Sequence, residues 1–243
     1  MKALVIPDTQ TSRGRPTAHL KALGNYIVEK RPEVVVHLGD HWDLPSLSSY
    51  ASVLEAEGQR YQDDIQAGNE ALELITGPLA RKRSYAPKLY LLRGNHEHRI
   101  TRLVASHPAL QGVISDKDLL SPGWKVVPFL EVLKLRGVWF SHYFQSAHSN
   151  RPIGGTALNV LNRVGNSFVQ GHVQGLDTCV KQRADGSRQR GLIAGSFYAH
   201  HEAYRGAQGR GEWRGVVVLN DLKQGSWSQL EVDLRWLVNN YGD

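Results

Sequence analysis

Three short runs of almost unbroken apolar residues, Ala3 to Ile6, Val34 to Leu38 and Leu89 to Leu92, constrain this chain more than any other feature. A strand covered on both faces needs an apolar side chain at every position, whereas a half-exposed strand alternates. Between the runs lie stretches whose apolar positions recur at helical spacing, Thr17 to Lys30 and Ser46 to Ile75. The pattern predicts a βαβαβ unit, an α/β fold with helices packed on a largely parallel sheet. After about Pro122 the rhythm changes. Glu131 to Leu135, Val138 to His142, Phe168 to Gln170, Asp177 to Arg183, Gly191 to Ala194, Val216 to Leu219 and Gln229 to Leu234 read as strands. Turn pairs Arg136-Gly137, Asp185-Gly186 and Gln224-Gly225 sit at the joints. One helix-like stretch, Thr156 to Val164, interrupts them. No internal repeat, Pro-rich linker or low-complexity tract divides the chain, so residues 1–243 read as one domain.

A chain of 243 residues that is 41% hydrophobic can bury a substantial core, and its net charge of +6 favours a polyanionic partner such as nucleic acid. Its single cysteine, Cys179, excludes an internal disulfide and a thiolate metal cage. The opening MKALVIPDTQ meets Asp8 too soon for a signal-peptide core or a membrane span. The expectation is a soluble, cytoplasmic protein with no membrane partner.

Polar clusters follow the strand-like runs, where open α/β sheets place their ligands. In order they are Asp8-Thr9-Gln10, Gly39-Asp40-His41-Trp42-Asp43, Gly94-Asn95-His96-Glu97, His142 and Gly171-His172-Val173-Gln174. In extended backbone, residues i and i+2 point the same way, so Asp8 with Gln10 and His172 with Gln174 can each grip one ion. Carboxylate, amide oxygen and imidazole nitrogen together suit manganese, iron or zinc better than calcium.

This ordered set resembles the calcineurin-like metallophosphoesterases, whose pattern is DxH, GDxxD, GNH(D/E), an isolated His and GHxH. The resemblance spans Asp8 to Gln174 and implies a four-layer αββα sandwich, two mixed sheets flanked by helices. It implies two divalent metal ions: Asp8, Gln10, Asp40 and Gln174 around one, Asp40, Asn95, His142 and His172 around the other, with Asp40 bridging. Gln10 and Gln174 stand where histidines are usual, and both fall on the same ion. Two amide oxygens in place of two imidazoles make that site harder and weaker, favouring manganese, with magnesium, iron(II) or zinc as alternatives.

The expected chemistry is phosphoester hydrolysis by water activated between the two ions, which also clamp the phosphoryl oxygens. His96 is the candidate general acid, Asp43 the carboxylate that orients it, and Arg99 a candidate contact to a phosphate oxygen. His148, His200 and Arg205 are further candidate substrate contacts. Against these stands the plain reading of each cluster as turn chemistry, since Asp, Asn and Gly are common after strands. His37 inside Val-Val-Val-His-Leu reads as a satisfied core histidine. Lys181, Arg183, Arg188 and Arg190 around a hairpin turn, and Arg205, Arg210 and Arg214 in a Gly-rich loop, are candidates for nucleic acid.

The favoured substrate is a phosphodiester of nucleic acid or a nucleotide. In the related protein phosphatases GDxxD continues into Arg-Gly, whereas here Asp43 is followed by Leu44-Pro45. A phosphoprotein or small-molecule phosphomonoester is the alternative. A catalytically silent, nucleic-acid- or protein-binding relative is the alternative of another class.

Overall fold

The computed structural model describes residues 1–49, 57–200 and 211–242. Among these, strands β1 (Ala3–Ile6), β2 (Val34–His37), β3 (Lys88–Leu92), β4 (Lys125–Val127), β10 (Gly215–Lys223) and β11 (Ser226–Asp233) form one sheet in the order β11-β10-β1-β2-β3-β4. The second sheet orders β5 (Leu133–Leu135), β6 (Val138–Ser141), β7 (Phe168–Gln170), β9 (Arg188–Ala194) and β8 (Leu176–Gln182) as β5-β6-β7-β9-β8. Both are mixed. β1 to β4 run parallel and β10 and β11 antiparallel, while β6, β7 and β9 run parallel between two antiparallel edges.

Side-chain alternation along β1 and β2 shows why these runs had to be apolar throughout. Leu4, Ile6 and Val35 face a core shared with helices α1 (Ala18–Lys30), α2 (Tyr61–Arg81) and α5 (Leu234–Tyr241). Ala3, Val5, Val34 and Val36 face the second sheet, meeting Val138, Phe140, Val169 and Leu192. On that sheet's far side Phe168 and Ile193 pack under helix α4 (Ala157–Val164). Three apolar layers separate four structural ones, which is the expected αββα sandwich.

Local chemistry sets the ends. Thr156 caps α4 by accepting the Asn159 N–H at 3.3 Å, and Gly165 closes it with φ 74°. Asp233 caps α5 by accepting the Arg235 and Trp236 N–H groups. That corrects the reading of Gln229 to Leu234 as strand: pairing stops at Asp233 because its carboxylate starts a helix.

The helical stretch expected from Ser46 to Ile75 is also corrected. Leu44 is left-handed at φ 52°, Pro45–Leu47 form one 3₁₀ turn, Gly58 has φ 77°, and a helix runs from Tyr61 to Arg81. Residues 50–56 of that stretch lie outside the described residues. Strand β4 and helix α3 (His98–Ser106) were not expected in full, the first being too short for a periodic signal. Among the described residues no helix is long and apolar enough to cross a membrane.

Candidate metal centre and acid site

The parallel strands bring five polar clusters to one edge of the sandwich. Asp8, Asp40 and Asn95 follow the carboxyl ends of β1, β2 and β3, and His142 and His172 follow those of β6 and β7. Backbone hydrogen bonds lace the first two loops together. The Thr9 and Gln10 N–H groups donate to the Asp40 carbonyl at 3.2 and 2.9 Å, and the Asp43 N–H donates to the Thr11 carbonyl at 2.9 Å. Gln10, Asp40, His172 and Gln174 all have positive φ, 42°, 49°, 68° and 56°. Each such conformation costs about 1–3 kcal/mol in a non-glycine residue and persists where the surroundings over-determine it.

Two glycines permit the close approach. A Cβ on Gly94 would collide with the Asp40 carboxylate, and one on Gly171 would lie 2.5 Å from Asp8 Oδ1. These carboxylates are held over bare backbone.

Asp40, His142 and His172 place one donor atom each within 4.8 Å of one another. The His142 Nδ1–H donates to the Leu38 carbonyl at 3.0 Å, which turns Nε2 toward Asp40 Oδ2 at 3.2 Å and Asn95 Oδ1 at 2.9 Å. Beside them Asp8 Oδ2 and Gln10 Oε1 are buried without a hydrogen-bond partner, while Asp8 Oδ1 accepts the His172 N–H at 3.0 Å. Buried oxygens are rarely left unpaired, so these two are donors in search of a cation. Gln174 Oε1 accepts from the Tyr198 hydroxyl at 2.9 Å.

The electrostatics agree with that demand. Burial and the Asp40 charge push Asp8 above the usual carboxylate range, against the opposing pull of His142. Burial would also raise Asp40, but the charges of His142 and His96 outweigh it and hold that carboxyl well below its ordinary value. Burial opposes a charged His142, yet Asp40 and Asp8 lift it to about 9. Burial and the neighbouring His142 push His172 down to about 4, leaving a neutral imidazole with a lone pair to offer. Two carboxylates, three amide oxygens and two imidazoles therefore fit a pair of divalent ions.

His96 and Asp43 stand beside the cluster. His96 Nδ1 lies 2.8 Å from Asp43 Oδ1, its Nε2 lies 3.7 Å from Asp40 Oδ2, and its backbone N–H donates to Asp40 Oδ1 at 3.0 Å. Burial would lower this imidazole, but Asp40 and Asp43 raise it above its ordinary value. Arg99 donates from Nη1 to the Asp43 and Leu44 carbonyls at 2.7 and 3.2 Å, so it ties down the loop that carries Asp43.

A buried carboxylate that the sequence reading left without a role organises the site. Glu97 accepts four backbone N–H groups, from Gly94, Asp40, His41 and Trp42, at 2.6 to 3.1 Å. The signal was its place directly after Gly94-Asn95-His96. A second network fixes Thr9. The Gly39 N–H donates to His37 Nδ1, His37 Nε2–H to Thr9 Oγ1, Thr9 O–H to His41 Nδ1, and His41 Nε2–H to the Gly68 carbonyl. Each hydrogen in this chain has one acceptor, so His37 and His41 are structural.

The remaining candidates separate. His200 is buried and stacks on Tyr198 at 4.6 Å, whose hydroxyl holds Gln174. His148 is exposed, and its backbone N–H donates to Ser146 Oγ at 3.4 Å, in the loop that follows His142 and away from the ligand set. Arg205 and Arg210 lie outside the described residues, and Arg214 pairs with Glu212 and covers the Tyr198 ring. Lys181, Arg183 and Arg188 are exposed, but the register pairs Leu176 with Ala194 near the ligands and Gln182 with Arg188 at the far end. Six residues of strand separate the two ends, roughly 20 Å. Arg190 packs over Trp227 at 5.8 Å.

The family model described as calcineurin-like phosphoesterase matches residues 1–230. The chain is 31% identical over 179 residues to the Gene 54 protein of Mycobacterium phage L5, covering 70% of this chain and 68% of that protein. It is 28% identical over 179 residues to the Gene 54 protein of Mycobacterium phage D29, with the same coverage. Among solved structures it aligns with YfcE, a phosphoesterase from E. coli, at 14% identity and a TM-score of 0.48, covering 96% of this chain and 100% of that one.

Proposed function

The chain belongs to the calcineurin-like phosphoesterase family, whose members are metal-dependent hydrolases of phosphoesters, and from that premise we propose that it cleaves phosphodiesters of nucleic acid or nucleotides. The observation that carries this reading is the His96 imidazole, bonded to Asp43 on one side and turned on the other toward Asp40 Oδ2 at 3.7 Å, the carboxylate that would bridge two ions.

Asp8, Gln10, Asp40 and Gln174 would hold one divalent ion, and Asp40, Asn95, His142 and His172 the other, with manganese the best match to this mixed oxygen and nitrogen set. Bound there, the ions supply Lewis acidity that makes water nucleophilic near neutral pH and neutralises phosphoryl oxygens. The chain's own residues do the rest. His96 holds a proton at Nε2 and gives it to the departing ester oxygen, while Asp43 fixes the ring through Nδ1 and stabilises its charged form. Glu97 holds the Asp40 and Gly94 backbones so that the ligands and the acid keep one geometry.

A polynucleotide is favoured by the net charge of +6 and by Arg102, exposed on α3 one turn beyond Arg99. The residues after Asp43 are Leu44 and Pro45, so no arginine there grips a phosphoprotein. A binding-only descendant has no physical need for an imidazole held by its own carboxylate beside the ligand cluster. The test is one assay comparing DNA, RNA, cyclic nucleotides and a phosphopeptide, with manganese present or chelated. Metal-dependent, salt-sensitive cleavage of DNA or RNA is expected. Turnover confined to the phosphopeptide, or none on any ester, would overturn the reading.

A further inference from the structure

A cavity of about 420 Å³ is walled by His98 and Thr101 of α3, by Val126, Pro128 and Phe129 at the end of β4, and by Lys117. That volume lies within the ~300–1,000 Å³ usual for small-ligand pockets. Its aromatic side is continuous with the metal centre. His98 stacks on Phe129 with ring centroids 4.7 Å apart and planes at 27°. Phe129 meets Tyr143 edge-on at 5.5 Å, and the Tyr143 ring lies 4.8 Å from that of His172. Neither Phe129 nor His98 takes part in the ligand set or the acid pair, and both are partly exposed.

The charges around this wall are divided in a useful way. Glu97 also borders the cavity, but its carboxylate is turned inward onto four backbone N–H groups. The four charged groups that line it balance, Arg93 and Lys117 against Glu97 and Asp116, and the Arg93 guanidinium lies over the Trp42 ring at 4.9 Å, so the cavity carries no net formal charge to draw in an anion. Arg102 is exposed on α3; burial first, and then its charge, push the His98 imidazole below its ordinary value. A neutral π-surface in the cavity with a cation outside it matches a nucleotide, whose base is flat and uncharged and whose phosphate is not.

We propose that this cavity is a subsite for the base of a nucleotide flanking the scissile phosphate, with Phe129 and His98 as the stacking surface and Arg102 as the cation for the neighbouring phosphate. The subsite rests on the polynucleotide reading given above and deepens it. Stacking on an aromatic face is tolerant of base identity, so the subsite selects for a base over none without reading sequence.

The experiment uses the full chain loaded with manganese and two substrates, a dinucleoside monophosphate and its analogue with one base replaced by hydrogen. The wild type is expected to favour the complete dinucleotide in kcat/KM by about tenfold, within the worth of one base–aromatic stack. In Phe129→Leu the ratio is expected to fall close to one, and in Phe129→Trp to persist. A wild-type ratio near one overturns the subsite without any variant, and so does a ratio that survives in Phe129→Leu. If the wild type hydrolyses bis(p-nitrophenyl) phosphate but neither dinucleotide, the polynucleotide reading fails by itself. Equilibrium dialysis of deoxyadenosine monophosphate against deoxyribose 5-phosphate then decides the subsite: Phe129-dependent preference for the nucleotide supports it, and equal or no binding overturns it.

Discussion

His96 and Asp43, 53 residues apart in the chain, meet through a contact of 2.8 Å between Nδ1 and Oδ1, and the Asp43 loop is in turn held by Arg99 through two carbonyls. The imidazole thus has one nitrogen committed to the protein and one left for the ligand pocket. An acid arranged this way matters in proportion to how badly the leaving group needs a proton. His96→Ala is therefore expected to lower kcat by about 10²–10⁴ on a dinucleotide, whose leaving group is an alkoxide. The loss should be much smaller on bis(p-nitrophenyl) phosphate, whose leaving group departs unprotonated. Equal losses on both, measured under manganese saturation, would remove His96 from the proton-transfer role.

Asp8 Oδ2 and Gln10 Oε1 are buried without partners, and an ion that they would hold with Asp40 and Gln174 would have oxygen donors only, whereas one held by Asp40 and Asn95 with His142 and His172 would have two imidazoles. Calorimetric titration with manganese should show two unequal classes of site. Converting both Gln10 and Gln174 to His should tighten the weaker class, for zinc by about tenfold or more. An unchanged weak class in Gln10→His/Gln174→His would mean that these residues do not hold an ion.

Glu97 collects four backbone N–H groups from two ligand loops. Glu97→Ala leaves four buried donors without an acceptor and should cost about 3 kcal/mol or more in urea unfolding. Glu97→Gln keeps the shape and part of the bonding, so it should fall between that variant and the wild type. A loss below about 1 kcal/mol for the alanine variant would show that water or a loop shift replaces the carboxylate.

His19 is buried against the Phe197 carbonyl, and burial pushes it from 6.5 down to about 4. The unfolded chain takes up this proton first, so the stabilisation is complete above about 6.5 and is lost as pH falls toward 4. His41, also lowered to about 4 by burial, acts in the same direction and the same window. Each contributes at most about 3 kcal/mol. Urea unfolding above pH 7 and near pH 5 should show a fall that His19→Asn reduces; an identical fall in that variant would assign the acid sensitivity elsewhere.

The order of apolar runs and the polar clusters after them were legible in the residues alone, because both are local. A strand buried on two faces must be apolar at every position, and β1 and β7 begin and end where the runs Ala3 to Ile6 and Phe168 to Gln170 do. The ligand residues could be named for the same reason, since each follows a strand by one to four positions. Boundaries failed where a single side chain overruled the periodicity. Asp233 turned strand into helix, Pro45 set a 3₁₀ turn at the start of an expected helix, and Gly58 broke the helical pattern just ahead of Tyr61. What only the tertiary structure decided is which groups share space. Glu97 is one acidic residue among many until four amides from separate loops converge on it. Arg99 meets the Asp43 and Leu44 carbonyls only because packing brings that loop against α3. The basic hairpin looked like a nucleic-acid grip until its register put the turn at the far end of the sheet. Spacing along a chain fixes direction within one strand, but distance between strands is set by the packing of layers, and the layers here are joined by side chains more than a hundred residues apart.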